Sequence, residues 1–235
     1  MCGVSASLIV LIPNNVHSQE GMSAIVKASN TAVLSAQIDG LIEQVHVQEG
    51  QSFSANDVLL TLDCSIQKTA LNKSKAHLQF VSKEHATVKK LADLNSVSQL
   101  QIAQSKAELS KAKSDVDAAT HQVSLCTVLA PYDGNVIQTW VNAHENVQAK
   151  SKMIEIVDNR ELATEFLAPS HMLSQLQSGI EFKLNINETS KSYPAVIDRV
   201  IPRVDAISQT VKVIGRLTST YPELWSGMSG VAVLK

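Results

Sequence analysis

The feature that most constrains this fold is the stretch from Cys64 to Cys126, which contains no glycine or proline and carries two runs of positions spaced alternately by three and four residues. This spacing marks the a and d positions of a coiled coil, so each run predicts a helix. The positions of the first run are Cys64, Gln67, Leu71, Ser74, Leu78, Val81, His85 and Val88. Those of the second run are Ile102, Ser105, Leu109, Ala112, Val116, Ala119, Val123 and Cys126.

The two runs fit together as the arms of an antiparallel hairpin. If the chain reverses near Asn95, residues that face each other have numbers that add up to about 190, and the two runs meet this condition at every step. Val81 then faces Leu109, and Leu78 faces Ala112. At about 1.5 Å per residue, each arm would be about 40 Å long. Such arms are too long for the inside of a compact domain, so we expect the hairpin to project.

Two cysteines stand at the feet of this hairpin. Cys64 and Cys126 obey the same numbering rule as the other facing pairs. In an oxidising compartment a disulfide between them would close a loop of about 62 residues and stabilise the fold by about 4 kcal/mol in the chain-entropy account. The alternative is a pair of small buried residues at the base of the seam, since a Cα separation above about 7 Å forbids the bond.

Short β strands flank the hairpin on both sides and repeat along the chain. Asp39 and Gly40 recur as Asp133 and Gly134, a shift of 94 positions. The same shift places Val47 on Val141, Leu60 on Ile154 and Leu62 on Ile156. Two copies of one strand pattern, separated by a helical insertion, predict two halves of one small β sandwich.

Beyond Asp158 the pattern changes to short alternating strands separated by turns. The alternating residues are Leu162, Thr164 and Phe166, then Phe182, Leu184 and Ile186, then Val211, Val213 and Leu217, and the last strand runs from Val231 to Leu234. About five or six strands of this kind predict a small barrel. Between them, residues 169–176 predict one or two turns of helix with Ser170 as the cap.

Composition and the N-terminal residues bear on the class of protein. The net charge is −2 and lysine and arginine are not clustered, so we expect binding neither to nucleic acid nor to an anionic membrane surface. An apolar run from Val4 to Ile12 predicts an export signal over residues 1–18, although no lysine or arginine precedes Lys27. The alternatives are an uncleaved anchor, a misassigned start or a frayed tail. The run is too short for a membrane span, which needs about 20 apolar residues.

A split β sandwich with an inserted antiparallel coiled coil, followed by a small barrel, resembles the periplasmic adaptors, or membrane fusion proteins, of tripartite efflux and secretion systems. The resemblance covers about residues 24 to 235 and depends on several motifs in the order of the family. The motifs are Asp39-Gly40 with Val45, Val47, Glu49 and Gly50, then Ala130-Pro131-Tyr132-Asp133-Gly134, then Ile201-Pro202 with Val204-Asp205 and Thr210-Val211, and then Leu224-Trp225-Ser226-Gly227-Met228.

The fold expected from the strand pattern and the resemblance is α+β and elongated. Its parts are a signal peptide at 1–18, a β-barrel domain at 19–29 and 159–235, a lipoyl-like (biotinyl/lipoyl) domain in two halves at 30–63 and 127–158, and the α-helical hairpin at 64–126. A membrane-proximal domain is expected to be absent or reduced, because few residues precede Ser29 after the signal and none follow Lys235.

The resemblance implies a non-catalytic periplasmic bridge for efflux of small molecules, including multidrug export, across a Gram-negative cell envelope. The implied partners are an inner-membrane transporter, with the resistance-nodulation-division type favoured, an outer-membrane channel, and further copies of the chain in a ring. The adaptor would be held at the inner membrane through its pump. An adaptor of an ABC-type exporter or of a secretion system is the alternative.

The resemblance also implies that the hairpin tip docks on the channel. Many family members carry an Arg at the tip, then a Leu four residues later and a Ser seven residues after that, and the corresponding positions here are Thr87, Leu91 and Ser98, with Asn95 in the turn. Leu and Ser match, whereas a threonine replaces the arginine. Two simpler roles stay open, because Leu91 could close the seam and Ser98 could be a helix N-cap.

Other function classes fit the residues less well. A biotin or lipoate carrier, the remote alternative, has its modified lysine on the hairpin between the sandwich halves, where this chain has Asp63-Cys64 and Cys126-Thr127. The histidines are scattered and the methionines are well separated, so no metal site is predicted. Because the sequence offers neither a nucleophile with a base nor a glycine-rich phosphate loop, we predict no catalytic residues, no cofactor and no enzyme activity.

Overall fold

The computed structural model describes residues 21–234, which form two compact units. One unit comprises residues 28–161, and the other comprises residues 162–234 together with residues up to Lys27. The predicted export signal at residues 1–18 lies outside the described residues. The strands, in chain order, are β1 (Met22–Ser35), β2 (Gly40–Val45), β3 (Ser52–Phe53), β4 (Val58–Leu62), β5 (Thr127–Leu129), β6 (Gly134–Thr139), β7 (Asn146–Val147), β8 (Lys152–Pro169), β9 (Glu181–Ile186), β10 (Lys191–Asp205), β11 (Thr210–Leu217) and β12 (Ser229–Leu234). The helices are α1 (Ser65–Asp93) and α2 (Gln99–Ser124), with a short 3-10 helix at Ser170–Gln175.

Residues 28–161 form a β sandwich into which the two helices are inserted. One sheet has the order β5-β4-β2-β7, while β6 pairs with β3 and with the first part of β8. The apolar residues of its core are Ala36, Ile42, Val47, Phe53, Leu59, Leu60, Leu62, Cys64, Cys126, Ala130, Val136, Val141, Val147, Met153, Ile154 and Ile156. This core contains both members of each repeated apolar pair, which confirms the sandwich predicted from the repeat.

The two halves of the sandwich also repeat each other's side-chain hydrogen bonds. Asp39 accepts a bond from the backbone N–H of Ala149 at 2.7 Å. Its counterpart Asp133 accepts one from the backbone N–H of Ala55 at 2.5 Å. Ala149 lies 94 positions after Ala55, so both partners follow the shift of the sequence repeat.

Backbone conformation follows the same correspondence. Gly50 has a φ of 81°, and its counterpart His144 has a φ of 68°. The Gly50 N–H donates to the Val136 carbonyl and the His144 N–H to the Ile42 carbonyl, both at 2.8 Å. A glycine adopts this left-handed conformation without cost, whereas a histidine needs the surrounding hydrogen bonds to hold it there. The repeat is therefore a true structural duplication and not a coincidence of composition.

The second unit is an antiparallel, barrel-like sheet. Its strand order is β1-β12-β9-β10-β11-β8, and β1 also pairs with β8. The buried apolar residues are Met22, Ala24, Val26, Phe166, Ala168, Leu176, Phe182, Leu184, Ile186, Tyr193, Ala195, Ile197, Val211, Val213, Leu217, Leu224 and Ala232. The predicted strands at Phe166, Phe182 and Val211 are confirmed. The sequence pattern did not indicate β10, which contains Pro194 and Pro202 and pairs with β11 through two register shifts.

One local prediction in this unit was wrong. The predicted helical turn is the 3-10 helix, but Pro169 and not Ser170 occupies its N-cap, and no side chain caps it. The Ser170 N–H instead donates to the Gln209 carbonyl at 2.8 Å, because the turn lies against the start of β11. Neighbouring strands therefore fix the start of this turn, and the local cap signal does not.

The two helices pack as the predicted hairpin. Every predicted seam residue is buried or partly buried, and apart from Ala92 the remaining residues of α1 and α2 are exposed. His85 Nδ1 lies 2.9 Å from the hydroxyl oxygen of Ser105, the residue that the numbering rule places opposite it. Val81 and Ala112 are the fully buried residues of the two helices. The seam and its register are thus confirmed.

The sandwich holds the hairpin at its feet by backbone and covalent bonds. The Leu62 N–H donates to the Cys126 carbonyl at 2.8 Å, and the side chain of Asp63 accepts the Ser65 N–H at 2.9 Å. That backbone donor lowers the pKa of Asp63 below its usual value. Cys64 and Cys126 are joined as a disulfide, with their Cα atoms 5.8 Å apart.

Candidate functional site

The candidate site is the tip of the hairpin, where the chain reverses over residues 94–98. Asn95 has a left-handed backbone with a φ of 55°. The Asn95 N–H donates to the Ala92 carbonyl and the Ser96 N–H to the Leu91 carbonyl, both at 2.9 Å. These two bonds form a Schellman motif, which ends a helix at a glycine or asparagine. Asn95 therefore terminates α1 and sets the direction of the turn.

Ser98 begins α2 by forming a capping box with Gln101. The Gln101 N–H donates to Ser98 Oγ at 3.2 Å, and the Ser98 N–H donates to Gln101 Oε1 at 2.8 Å. Both backbone donors would otherwise lack a partner inside the helix. Ser98 is therefore an N-cap, and because it is also exposed, its side chain is accessible at the tip.

Leu91 lies in the last turn of α1, at the edge of the seam and beside the groove between the arms. Its side chain is 39% exposed, whereas Ala92 takes the next seam position and is partly buried. One turn earlier, the exposed Thr87 donates its hydroxyl to the Lys83 carbonyl at 3.0 Å. Thr87 thus stands on the same side of the helix as Leu91 but brings no positive charge. Ala92 occupies the a/d position itself, so Leu91 stands at the rim of the seam, where its side chain is partly accessible.

Two further apolar residues of the tip were not identified from the sequence. Leu94 is 71% exposed and Leu100 is 66% exposed. We call Leu91, Leu94 and Leu100 the tip leucines. The sequence signal that could have found them is their position off the a/d seam in a segment that is otherwise polar, because a leucine outside the seam has no place to be buried within the hairpin.

A groove of about 460 Å³ lies between the arms just below the tip. Its lining includes Leu91 and Gln101 near the turn and the polar pair His85 and Ser105 farther down. Glu84 also lines the groove. The groove is open and lined by both polar and apolar groups, so it offers shape and hydrogen-bonding groups to a partner surface.

Charge is distributed unequally between the two helices. α1 carries six lysines and two acidic residues, whereas α2 carries three of each. Lys89 and Lys90 bring the positive charge of α1 close to the tip, where both side chains are exposed. The first helix is therefore a basic surface and the second is balanced.

Shifted pKa values occur in the sandwich. Arg160 donates from Nε to Asp158 Oδ1 at 3.0 Å and from Nη2 to Asp158 Oδ2 at 3.1 Å, and the Asp158 side chain is only 4% exposed. These bonds hold the pKa of Asp158 below its usual value. The pKa of Asp133 is also lowered, first by the Ala55 N–H and then by Arg160. The network fixes the loop of Asp133 and the strand of Asp158.

Metal ligands and membrane-spanning helices would indicate other kinds of site. Within residues 21–234 no group of three or more His, Cys, Asp or Glu residues is arranged to hold a metal ion. None of the helices in the described range is both long and apolar enough to cross a membrane.

Comparison with known proteins gives matches to parts of the chain and to its fold. A family model described as the CzcB-like barrel-sandwich hybrid domain matches residues 30–158. An uncharacterized protein of Haemophilus influenzae is 22% identical over 192 residues, which are 81% of this chain and 50% of that protein. The multidrug resistance protein MdtA of Escherichia coli is 31% identical over 130 residues, 49% of this chain and 31% of MdtA.

Similarity extends to solved structures. The crystal structure of a MacA–MexA chimera, which contains the α-hairpin domain of Pseudomonas aeruginosa MexA, matches with a TM-score of 0.79 at 23% identity over 92% of this chain and 80% of the chimera. At this identity the likeness concerns the fold. The chain spans about half the length, or less, of the curated relatives it matches.

Proposed function

Because the chain belongs to the periplasmic adaptor, or membrane fusion protein, family through its CzcB-like barrel-sandwich hybrid domain, we propose that it is the adaptor subunit of a tripartite efflux system. In this role it bridges an inner-membrane transporter and an outer-membrane channel in the periplasm and exports small molecules. The family consists of non-enzymatic adaptors, in agreement with the prediction that the chain is not an enzyme. The observation that carries the proposal is a capped helical hairpin whose tip exposes three leucines.

The tip leucines supply the free energy for docking on the channel. Full burial of one leucine side chain stabilises a complex by about 2 kcal/mol. The Schellman motif and the capping box hold the turn in one conformation, so little conformational entropy is lost when the tip binds. Thr87, Asn95 and Ser98 surround the leucines with polar groups, which is the arrangement of an apolar interface core and a polar rim.

Self-association into a ring is the second part of the proposal. Ile66 and Phe80 of α1 and Leu94, the residue that caps its C-terminus, are exposed by 79%, 64% and 71% and follow one another at intervals of two heptads. The outer face of α2 carries small residues, among them Ala107 and Ser114, which leave room for large side chains of a neighbour. α2 is neutral as a whole, but its Asp115 and Asp117 offer acidic partners to the lysines of α1.

The resemblance favours a transporter of the resistance-nodulation-division type, and an ABC-type exporter is the alternative. Multidrug substrates are proposed because one relative is named a multidrug resistance protein.

The transporter-facing part is proposed to be the barrel unit. Ile207, in the turn between β10 and β11, is 98% exposed there and is a suitable position for a probe.

In vivo photo-crosslinking tests the proposal directly. A probe at Leu91 is expected to link to an outer-membrane channel, and a probe at Ile207 to an inner-membrane transporter whose type mass spectrometry identifies. A probe at Gln79, exposed in the middle of α1, is the matched control and should not reach the channel. If Leu91 links only to other copies of the chain, the tip serves self-assembly and the bridging function is wrong.

A substitution at the same position gives an independent result. Leu91→Asp should leave the helix content and the thermal unfolding of the protein unchanged, because the side chain stands at the rim of the seam and is partly accessible, but it should reduce export and channel crosslinking at least tenfold. Export at the wild-type level by Leu91→Asp would remove the tip from the proposed mechanism.

A further inference from the structure

The disulfide gives the two halves of the sandwich a short covalent connection that the polypeptide itself lacks. In sequence, β4 and β5 are separated by the whole hairpin, and the bonded cysteines lie 62 positions apart. Through the sulfur atoms, however, the path from the end of β4 to the start of β5 passes only Asp63, Cys64 and Cys126. Three residues are the length of an ordinary β-hairpin connection.

The seam contains polar residues in the lower part of the hairpin. The seam residues just above the disulfide include Gln67 and Ser74, and the buried side-chain oxygen of Gln67 has no hydrogen-bond partner. The fully buried residues of the arms, Val81 and Ala112, lie farther toward the tip. A buried polar atom without a partner is unfavourable. Near the feet, seam packing therefore includes an uncompensated polar atom, and the disulfide adds a covalent connection there.

We propose that the Cys64–Cys126 disulfide is a structural clamp, installed by a protein disulfide donor, that replaces the missing turn between the two halves of the sandwich. The thiolate of one cysteine attacks the donor's disulfide and forms a mixed disulfide, with one donor sulfur leaving as a thiolate. The other cysteine then attacks the mixed disulfide and releases the donor as a dithiol. Two electrons and two protons pass from the adaptor to the donor.

Burial makes this bond a permanent clamp and not a switch. Cys64 is 6% exposed and Cys126 is 3% exposed. Thiol–disulfide exchange requires access of the attacking thiolate to a sulfur atom. The donor must therefore act before the feet close, and small thiols should not reduce the bond in the folded protein. Reduction is expected only when denaturant opens the feet.

The clamp is tested on the full chain after a cut at the hairpin tip. A protease site is inserted after Asn95 in the exposed turn, and Trp225→Phe leaves Trp140 of the sandwich as the only tryptophan. The oxidised protein is cut while folded and its unfolding is followed by Trp140 fluorescence. The two fragments should stay joined on a non-reducing denaturing gel, and the cut protein should melt within a few degrees of the uncut protein.

The matched control is the double variant Cys64→Ala/Cys126→Ala, which keeps small apolar side chains at the base of the seam. After the same cut, its halves are held by non-covalent contacts alone, so its melting temperature should fall by more than 10 °C and depend on protein concentration. If the cut double variant melts like the cut wild type, the cysteines are only small buried residues and the clamp is wrong. Alkylation of both cysteines in the folded protein without prior reduction would likewise contradict the clamp, because only free thiols react.

This inference goes beyond the adaptor role and does not depend on it. It requires an oxidising compartment, as the proposed periplasmic location supplies. The cutting experiment uses purified protein and gives its result whether or not the chain bridges two membranes. A negative crosslinking experiment would therefore contradict the adaptor role alone, and a negative cutting experiment would contradict the clamp alone.

Discussion

Arg160 illustrates how single side chains hold the sandwich together. Its guanidinium donates two bonds to the buried carboxylate of Asp158 and also contacts Asp133, whose carboxylate accepts the Ala55 N–H. Without its partner, the charge of a buried carboxylate would lose its hydration with no ion pair to offset the cost. The three side chains therefore act as one unit, in which the arginine allows Asp158 to be buried in its charged form.

Replacement of Arg160 should make the fold sensitive to pH. Because Arg160 lowers the pKa of Asp158 in the folded state, this carboxylate stabilises the fold above its ordinary pKa, and the contribution is lost as the pH falls through the lowered value. Arg160→Gln should lower the free energy of unfolding at pH 7, because the buried Asp158 carboxylate loses its charged partner. The difference from wild type should shrink in acid, where Asp158 becomes protonated in both proteins. Urea unfolding between pH 2 and pH 7 measures both effects.

The control for this prediction is Arg199→Gln. Arg199 pairs with Asp198 at the surface, where the two side chains are 65% and 42% exposed. An exposed pair contributes little to stability, so this variant should stay within about 0.5 kcal/mol of wild type. A loss for Arg160→Gln that is the same at every pH would show that the arginine acts through packing and not through its charge.

At the scale of the element, the hairpin depends on how each helix ends. The seam fixes the register of α1 against α2, but the turn is set by Asn95 and Ser98, whose backbone and side chain satisfy groups that the helices leave open. Both residues belong to the candidate docking tip. Presentation of the tip leucines therefore depends on the stability of the turn, because a frayed helix end would not hold Leu94 in one position.

The left-handed conformation of Asn95 can be tested by substitution. Asn95→Gly should change the free energy of unfolding by less than about 0.5 kcal/mol, since glycine adopts a positive φ freely. Asn95→Val should cost about 1–2 kcal/mol, because its branched side chain meets the backbone in this conformation. Thermal unfolding followed by circular dichroism at 222 nm measures the difference. Equal stability of the two variants would mean that the turn relaxes and that the Schellman motif does not hold the tip.

At the scale of the whole molecule, two numerical relations in the sequence predicted the hairpin and the sandwich, whereas the barrel was predicted from alternating strands. The constant sum across the hairpin located its seam to the residue, as the contact of His85 with Ser105 confirms. The constant shift between sandwich halves identified the duplicated strands, whose hydrogen bonds repeat as well. Both relations can be recognised in the sequence because they depend only on residue positions along the chain.

Features that depend on contacts between distant segments of the chain could not be predicted from such numerical relations. Asp158 and Arg160 are neighbours on β8, but Asp133 lies 27 positions before Arg160, and no local pattern indicates that it meets this pair. The strand β10 was missed because its prolines and register shifts disturb the alternation. At the tip, the sequence and the resemblance together indicated Leu91 and Ser98. The exposed Leu94 and Leu100 became part of the site only once the seam had been separated from the surface.

The proposed ring makes a last prediction for the assembled molecule. Phe80 is 64% exposed on α1, so Phe80→Glu should leave the monomer folded with its disulfide and seam intact. If neighbouring hairpins pack α1 of one copy against α2 of the next, the new carboxylate faces small residues and nearby aspartates of α2, and association should weaken at least tenfold. Ser82→Glu adds the same charge at another exposed position of α1 and is the matched control. Sedimentation velocity over a range of concentrations measures association, and unchanged self-association of Phe80→Glu would place the contact between copies elsewhere than on this face of the hairpin.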